Sequence, residues 1–453
     1  MAARIVIENA TIATVDANGT EIPTGHVIVD GNQIVAVGSG PAPAPPPGAT
    51  ERRVEAAGHL VTPGLVNTHH HFYQWLTRGL AQNAILFDWL TALYPIWARI
   101  DEDGAYAAAR GSITSLLLSG CTTAADHHYI FPRNGGDLLG TEIRAAGELG
   151  LRLHASRGSM DRGQSDGGLP PDFAVEDIDT ILTSSARAVE TYHDPSPHSM
   201  LRITVAPCSP FSVTTDLLRE SAALGRSLGV RLHTHGSETV EEEDQCLAEF
   251  GMRPTDYLDS VGWLGDDVWL AHSVHLSDSD ISRYSATGTG VAHCPSSNAR
   301  LGAGIARVPE MLAAGVPVGL GVDGAASNEN GGLGTELRAA LLFARARLGP
   351  SALTARQALR LGTMGGAEVV GRSDDLGSIE VGKLADLAVW KLDGVEHSTI
   401  EDKVAALVMG SLPPLALLLV DGRVVVEDGQ LLTADSGQIA REAARAAHRL
   451  LDG

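Results

Sequence analysis

The chain has 453 residues, 44% hydrophobic and 19% charged, the balance of an ordinary soluble globular enzyme on a chain too long for one small core. Its formal charge of −22 argues against nucleic acid and anionic membrane as partners, since both require basic protein surface. Four scattered cysteines without a Cys-x-x-Cys spacing fit reduced thiols in the cytoplasm, and no stretch approaches the roughly 18 apolar residues of a membrane span.

In chain order, the first segments read as short strands. They are Arg4–Ile7, then Val27–Asp30 and Gln33–Val37 around an Asp30-Gly31 turn, a strong hairpin signal. Residues 40–48, rich in proline and alanine, read as a connecting loop. From 59 to 374, apolar strands alternate with amphipathic helices such as Ala105–Leu118 and Leu217–Leu228. The strands end at Asn67, Asp126, Ser156, Pro207, His235, His272, Cys294 and Asp323. Eight parallel strands with crossover helices fit a (β/α)8 barrel better than an open doubly wound sheet, and no glycine-rich dinucleotide motif follows the first strand. Ala355–Val370 reads as one more helix. Leu387–Lys391, Leu417–Val420 and Arg423–Glu427 are then strands, the last two around Asp421-Gly422. Two β-rich chain ends, each too small to fold alone, pair most economically into one small sandwich. The expected fold class is therefore α/β. A (β/α)8 TIM-like barrel over 59–374 would be joined to a composite β-sandwich built from 1–58 and 375–453.

In such a barrel, chemistry sits at the C-terminal ends of the strands. There the first strand delivers His69-His70-His71, and side-chain alternation puts His69 and His71 on one side with His70 turned away. The fifth puts His233 and His235 on one face, with Glu238 three residues further on. The sixth ends in His272 and the eighth in Asp323. His69, His71, His235 and Asp323 offer three nitrogens and one oxygen, a set suited to Zn2+ or Fe2+ with a position left for water. A second metal needs a bridging ligand, usually a carbamylated lysine on the fourth strand. Leu201–Pro207 contains no lysine, so one divalent metal per chain is expected, with Zn2+ ahead of Fe2+.

The motifs Pro63-Gly64-Leu65-Val66-Asn67-Thr68-His69-x-His71 and His233-Thr234-His235-Gly236-Ser237-Glu238 resemble those of the amidohydrolase superfamily, in its mononuclear deaminase and aminohydrolase branch. So do His293-Cys294-Pro295-Ser296-Ser297-Asn298, Gly321-Val322-Asp323-Gly324 and the segment Gly377–Leu387. The resemblance runs nearly end to end and implies a barrel with a composite sandwich. It also implies Glu238 as the proton shuttle between water and a ring nitrogen, and Asp323 as acceptor of the second water proton. His272 would orient the nucleophile. Self-association as a dimer or larger homo-oligomer is a further expectation of the likeness. His233 is expected to support a ligand rather than be one. His127, His128 and His154 are expected to be structural, and His293 to shape the pocket wall.

The loops after the first and third strands are expected to set specificity. Phe72-Tyr73-Gln74-Trp75, Phe87-Asp88-Trp89-Leu90 and Arg157 make Gln74, Trp75, Trp89, Arg157 and His275 the candidate substrate contacts, although His275 could equally cap a loop. This region resembles the 8-oxoguanine deaminase subgroup and the related s-triazine aminohydrolases. The expected reaction is deamination of an amino-oxo heterocycle such as 8-oxoguanine, to urate and ammonia. The alternatives are a hydroxytriazine aminohydrolase, a cyclic-amide hydrolase, which the missing lysine disfavours, and a non-catalytic scaffold, which the intact ligand set disfavours.

Overall fold

The computed structural model describes residues 4–45, 48 and 50–452, so the loop read over 40–48 falls partly outside them at Pro46 and Pro47. Eight parallel strands close into a barrel in sequence order: β1 Leu65–Asn67, β2 Cys121–His128, β3 Arg152–Ser159, β4 Leu201–Pro207, β5 Leu232–Gly236, β6 Val268–His272, β7 Gly290–His293 and β8 Val318–Leu320. The closing contact sets Leu320 of β8 opposite Asn67 of β1. Every residue of β1 to β3 and β5 to β8 is buried, as expected of parallel strands covered by helices outside and filled by side chains inside.

Three strand ends differ from the sequence reading by two residues or more. β2 continues past Asp126 to His128, β3 continues past Ser156 to Ser159, and β8 stops at Leu320, before Asp323. Asp323 instead pairs with His70, and Gly324 with His71, in a two-residue parallel ladder beyond the barrel rim. The carboxylate and the first histidines are therefore joined backbone to backbone.

Five helices border the rim or tie the chain ends to the barrel. They are α1 Leu86–Trp97, α2 Glu102–Leu118, α3 Leu138–Leu149, α4 Val240–Phe250 and α5 Ser436–Asp452. Asp101 starts α2 by accepting the Gly104 N–H at 2.8 Å, and Asp137 caps α3 by accepting the Gly140 N–H at 3.0 Å. In α5, Ile439, Ala443, Ala446 and Leu450 recur at three- and four-residue spacing and are buried, and the helix packs on α2. The end of the chain thus reaches back from the strands to the barrel.

The strands of the two chain ends form one nine-stranded sheet. In order across it, Leu387–Trp390 pairs with Leu60–Pro63, which pairs with Arg4–Ala13. Arg4–Ala13 changes partner along its length. Residues 4–8 pair with Glu51–Glu55, and after irregular register around Asn9 (φ 62°) residues 11–12 pair with Leu60–Pro63. That bend lets the sheet wrap one apolar core, with Ile5, Ile7, Val27 and Ile34 against Leu387, Val389, Leu417 and Leu419.

Sheet and barrel are bolted together by a fully buried ion pair. Arg152, at the start of β3, donates through Nε and Nη2 to the Asp386 carboxylate at 3.3 and 3.0 Å, and through Nη1 to the Ser199 carbonyl at 2.7 Å. The Asp386 carbonyl accepts the Gly64 N–H at 2.8 Å, one residue before β1. Removing one partner leaves the other charge buried and alone. Arg152→Met is accordingly expected to destabilise the folded chain by about 3–5 kcal/mol in chemical denaturation, well above the effect of removing an exposed pair.

Candidate metal centre

Four side chains from opposite ends of the barrel sequence meet at its C-terminal rim. His69 Nε2 lies 3.3 Å and His71 Nε2 3.2 Å from Asp323 Oδ1, and His235 Nε2 lies 3.3 Å from His71 Nε2. All four residues are buried. Burial pushes the His69 and His235 imidazoles well below their ordinary value, so both are neutral.

The protons on these rings can be placed from their other hydrogen bonds. A carbonyl only accepts, so His71 Nδ1 carries the proton it gives to the His127 carbonyl at 2.7 Å. His235 Nδ1 likewise donates to the Cys208 carbonyl at 2.6 Å. For His69 the relay is one step longer. His233 Nδ1 donates to the Trp269 carbonyl at 2.9 Å, which leaves His233 Nε2 bare, and that nitrogen accepts from His69 Nδ1 at 2.8 Å. With each ring neutral, the three Nε2 atoms present lone pairs to one another and to a carboxylate oxygen. Such an arrangement is repulsive without a cation. With zinc–nitrogen bonds of about 2.0–2.1 Å, tetrahedral ligand atoms lie about 3.3–3.4 Å apart, close to the spacings found here. His69, His71, His235 and Asp323 could hold one divalent cation.

Asp323 is fixed on its other oxygen. The Ser297 and Ser327 hydroxyls donate to Oδ2 at 2.6 and 3.1 Å. The adjoining Asn298 accepts the His272 Nδ1 proton on Oδ1 at 2.9 Å, which turns His272 Nε2 toward Glu238 Oε1 at 3.7 Å and Asp323 Oδ2 at 4.0 Å. Glu238 is buried. Burial first, then the charges of Asp323 and Glu242, push it well above its ordinary value. Glu242, in the first turn of α4, holds that loop by accepting the Ser237 and Glu238 N–H groups at 2.9 and 2.7 Å. Ser237, His272 and Asp323 all have left-handed backbone, with φ of 54°, 72° and 65°, a cost of about 1–3 kcal/mol each that clusters at functional sites.

The cavity above these groups is lined by Gln74, Trp89, Tyr94, Tyr129, Cys208 and Phe211 among others, together with Glu238 and His272. Gln74 Oε1 is buried without a partner among the described residues. A Cβ on Gly324 would lie 1.8 Å from it, so only glycine next to Asp323 leaves room for this amide. Three expected substrate contacts are corrected. Arg157 lies on the opposite face of β3, stacked 3.6 Å from the Phe131 ring centroid and bonded to Glu176 at 2.8 and 2.9 Å, in a separate cleft. Trp75 packs against Gly111 and Gly331 beneath Arg78, away from the cavity. His275 ties its loop down by donating to the Ala303 carbonyl at 2.8 Å.

Several functional side chains carry no signal in the sequence, among them Tyr94, Tyr129, Cys208 and Glu242. A second buried cluster lies on the outer face of β2. His128 Nε2 donates to the Ile130 carbonyl at 2.7 Å, so its Nδ1 accepts a hydrogen bond from the Glu142 carboxyl, 2.9 Å away on α3. Burial pushes Glu142 up to about 8 and His128 down to about 4, in keeping with that pairing. Next to them, Asp126 Oδ1 accepts the Phe72 N–H at 2.7 Å and so anchors the backbone immediately after His71.

Residues 60–426 match the model of the amidohydrolase family. The chain is 44% identical to an 8-oxoguanine deaminase of Pseudomonas aeruginosa over 98% of each chain. It is 37% identical to a hydroxydechloroatrazine ethylaminohydrolase of Pseudomonas sp. strain ADP, over 98% of this chain and 94% of the relative. Among solved structures, an atrazine chlorohydrolase of Arthrobacter aurescens TC1 complexed with zinc superposes with a TM-score of 0.92 at 34% identity, covering 98% of this chain and 100% of that one.

Two measurements probe this geometry. His233→Phe removes the acceptor that fixes the His69 proton, and metal affinity is expected to fall about 10- to 100-fold in competition with a chelator. For Glu142, the native state keeps a proton up to about pH 8 that the unfolded chain releases near its ordinary 4.5. Stability therefore falls as pH rises through that window. Glu142→Gln keeps the donor to His128 and has no proton to lose. Relative to the unaltered protein it is expected to gain of the order of a few kcal/mol between pH 4.5 and 8, read as diverging melting curves.

Proposed function

The chain belongs to the amidohydrolase family, and from that premise we propose that it is a metal-dependent deaminase of an amino-oxo heterocycle, with 8-oxoguanine as substrate and urate and ammonia as products. The observation that carries this reading is the convergence of three imidazole nitrogens and a carboxylate beside a buried glutamate. The 44% identity to an 8-oxoguanine deaminase supports the substrate. So does Gln74 Oε1, which needs the N–H edge that such rings offer.

When bound, the metal lowers the pKa of a water from about 15.7 toward 7 and so makes it a nucleophile at neutral pH. The chain's own groups handle the protons. Glu238 gives its proton to the ring nitrogen beside the amine-bearing carbon, which makes that carbon electrophilic, and regains one from the attacking water. His272, with its proton held on Asn298, aims the water by accepting from it at Nε2. Asp323 Oδ2, steadied by Ser297 and Ser327, takes the second water proton and passes it to the departing amine as ammonia. The oxygen of water stays on the ring as the new carbonyl. Four free, buried cysteines fit a reducing compartment, and we place the enzyme in the cytoplasm.

Ammonia release across purines, pterins and triazines tests the substrate. 8-Oxoguanine is expected to be the best substrate, and turnover confined to N-alkylated triazines would replace this reading with the triazine one. Glu238→Gln is expected to keep one equivalent of metal per chain while kcat falls about 10²- to 10⁴-fold. A variant that turns over normally would remove Glu238 from the proton path.

A further inference from the structure

Helix α1 lies over the candidate metal centre. Its residues Leu86, Trp89, Leu90 and Tyr94 all line the cavity, facing His71, His235 and Glu238 from the far side. The space between is about 20 Å³, room for a water and not for a heterocycle, so a substrate ring displaces this wall and then contacts it. The wall is apolar except for two groups. Trp89 Nε1 and Tyr94 Oη are both buried without a hydrogen-bond partner among the described residues, in a helix that is otherwise well packed.

These two groups stand at different positions along the helix that walls the cavity. Tyr94 sits beside the Cys208 thiol, whose backbone carbonyl holds the His235 proton, so its end of the helix is the catalytic end. Trp89 stands five residues earlier, about 7.5 Å back along the helix axis. An indole N–H donates and never accepts, so its partner must be an acceptor atom, supplied by water or by a ligand. In an aminopurine deaminated at C2, the atoms furthest from the reacting carbon are those around C8.

We propose that the Trp89 indole N–H is the specificity contact of this enzyme, and that it selects rings bearing an exocyclic carbonyl at the end remote from the departing amine, as 8-oxoguanine does at C8. The inference rests on the oxopurine reading above and adds which residue distinguishes the oxidised purine from guanine. Guanine has a C–H where 8-oxoguanine has the carbonyl. Binding it leaves the buried donor without its carbonyl partner, a mismatch that a site built to hydrogen-bond its substrate penalises. Tyr94 closes the other end of the same wall, near the reacting carbon.

The test is kcat/KM for 8-oxoguanine and for guanine in the unaltered enzyme and in Trp89→Phe, with metal content measured alongside. The ratio favouring 8-oxoguanine is expected to fall about tenfold to hundredfold in the variant, with one equivalent of metal retained. An unchanged ratio overturns the assignment. Should Trp89→Phe not fold, inhibition of the unaltered enzyme by urate and by xanthine, which differ at C8, decides the matter. A preference for urate of tenfold or more supports the contact, and equal inhibition overturns it. An unaltered enzyme that deaminates neither purine removes the oxopurine reading itself, an outcome distinct from an active enzyme whose ratio ignores Trp89.

Discussion

Three imidazole nitrogens and one carboxylate oxygen, within about 3.3 Å of their neighbours in a buried site, have the spacing of ligands around one cation. The surrounding structure is best understood as what keeps these four acceptors aimed at one point. Each proton that could relieve the repulsion is drawn to the far side of its ring. The His127 and Cys208 carbonyls hold two of them, and the His233–Trp269 relay holds the third. Such outer partners set both the tautomer and the orientation of a ligand, so they bear on metal affinity as directly as the ligands do.

The barrel supplies the rigidity for this. Parallel register places the ends of β1 and β5 on one rim, and the ladder of His70–His71 with Asp323–Gly324 extends the contact between the first and last strands past that rim. Left-handed backbone at Ser237, His272 and Asp323 turns the side chains inward just where the strands stop. Hydroxyls, an amide and a buried glutamate then fix each group's remaining polar atoms. The Arg152–Asp386 pair does similar work at the opposite end of the barrel, where the sheet is attached and no chemistry takes place.

Chemistry and selection come from different parts of the chain. The groups proposed to handle protons stand on or just after strand ends and are steadied by the barrel. The wall over the candidate metal centre is α1, an inserted helix whose aromatic contacts to the rest of the chain include Trp97 on Tyr73 and Phe87 on Phe211. A helix packed on an apolar layer can shift as a unit to admit a ring, whereas the strand ends beneath it are locked by hydrogen bonds. This division allows related barrels to keep one hydrolytic centre and differ in the heterocycle they accept.

The amino-acid sequence alone was enough to place the barrel and the cluster His69, His71, His235, Asp323 with Glu238 and His272. These lie in short local patterns: a histidine, one spacer, a second histidine at a strand end, or a carboxylate after an apolar run. Alternation and strand order are sufficient to bring such patterns to one rim. What the sequence could not convey is which way a side chain turns once strands have twisted and loops have packed. Arg157 follows an inward-facing residue and so points outward to Glu176. Trp75 is drawn under Arg78, and His275 is spent on a loop carbonyl. Conversely, Tyr94, Cys208 and Glu242 sit in stretches with no motif, and reach the site only because α1, β4 and α4 converge there. The metal-ligand spacing is a local property written into consecutive residues. The protonation of each ring and the shape of the wall above it depend instead on contacts between residues tens to hundreds of positions apart, which exist only in the folded chain.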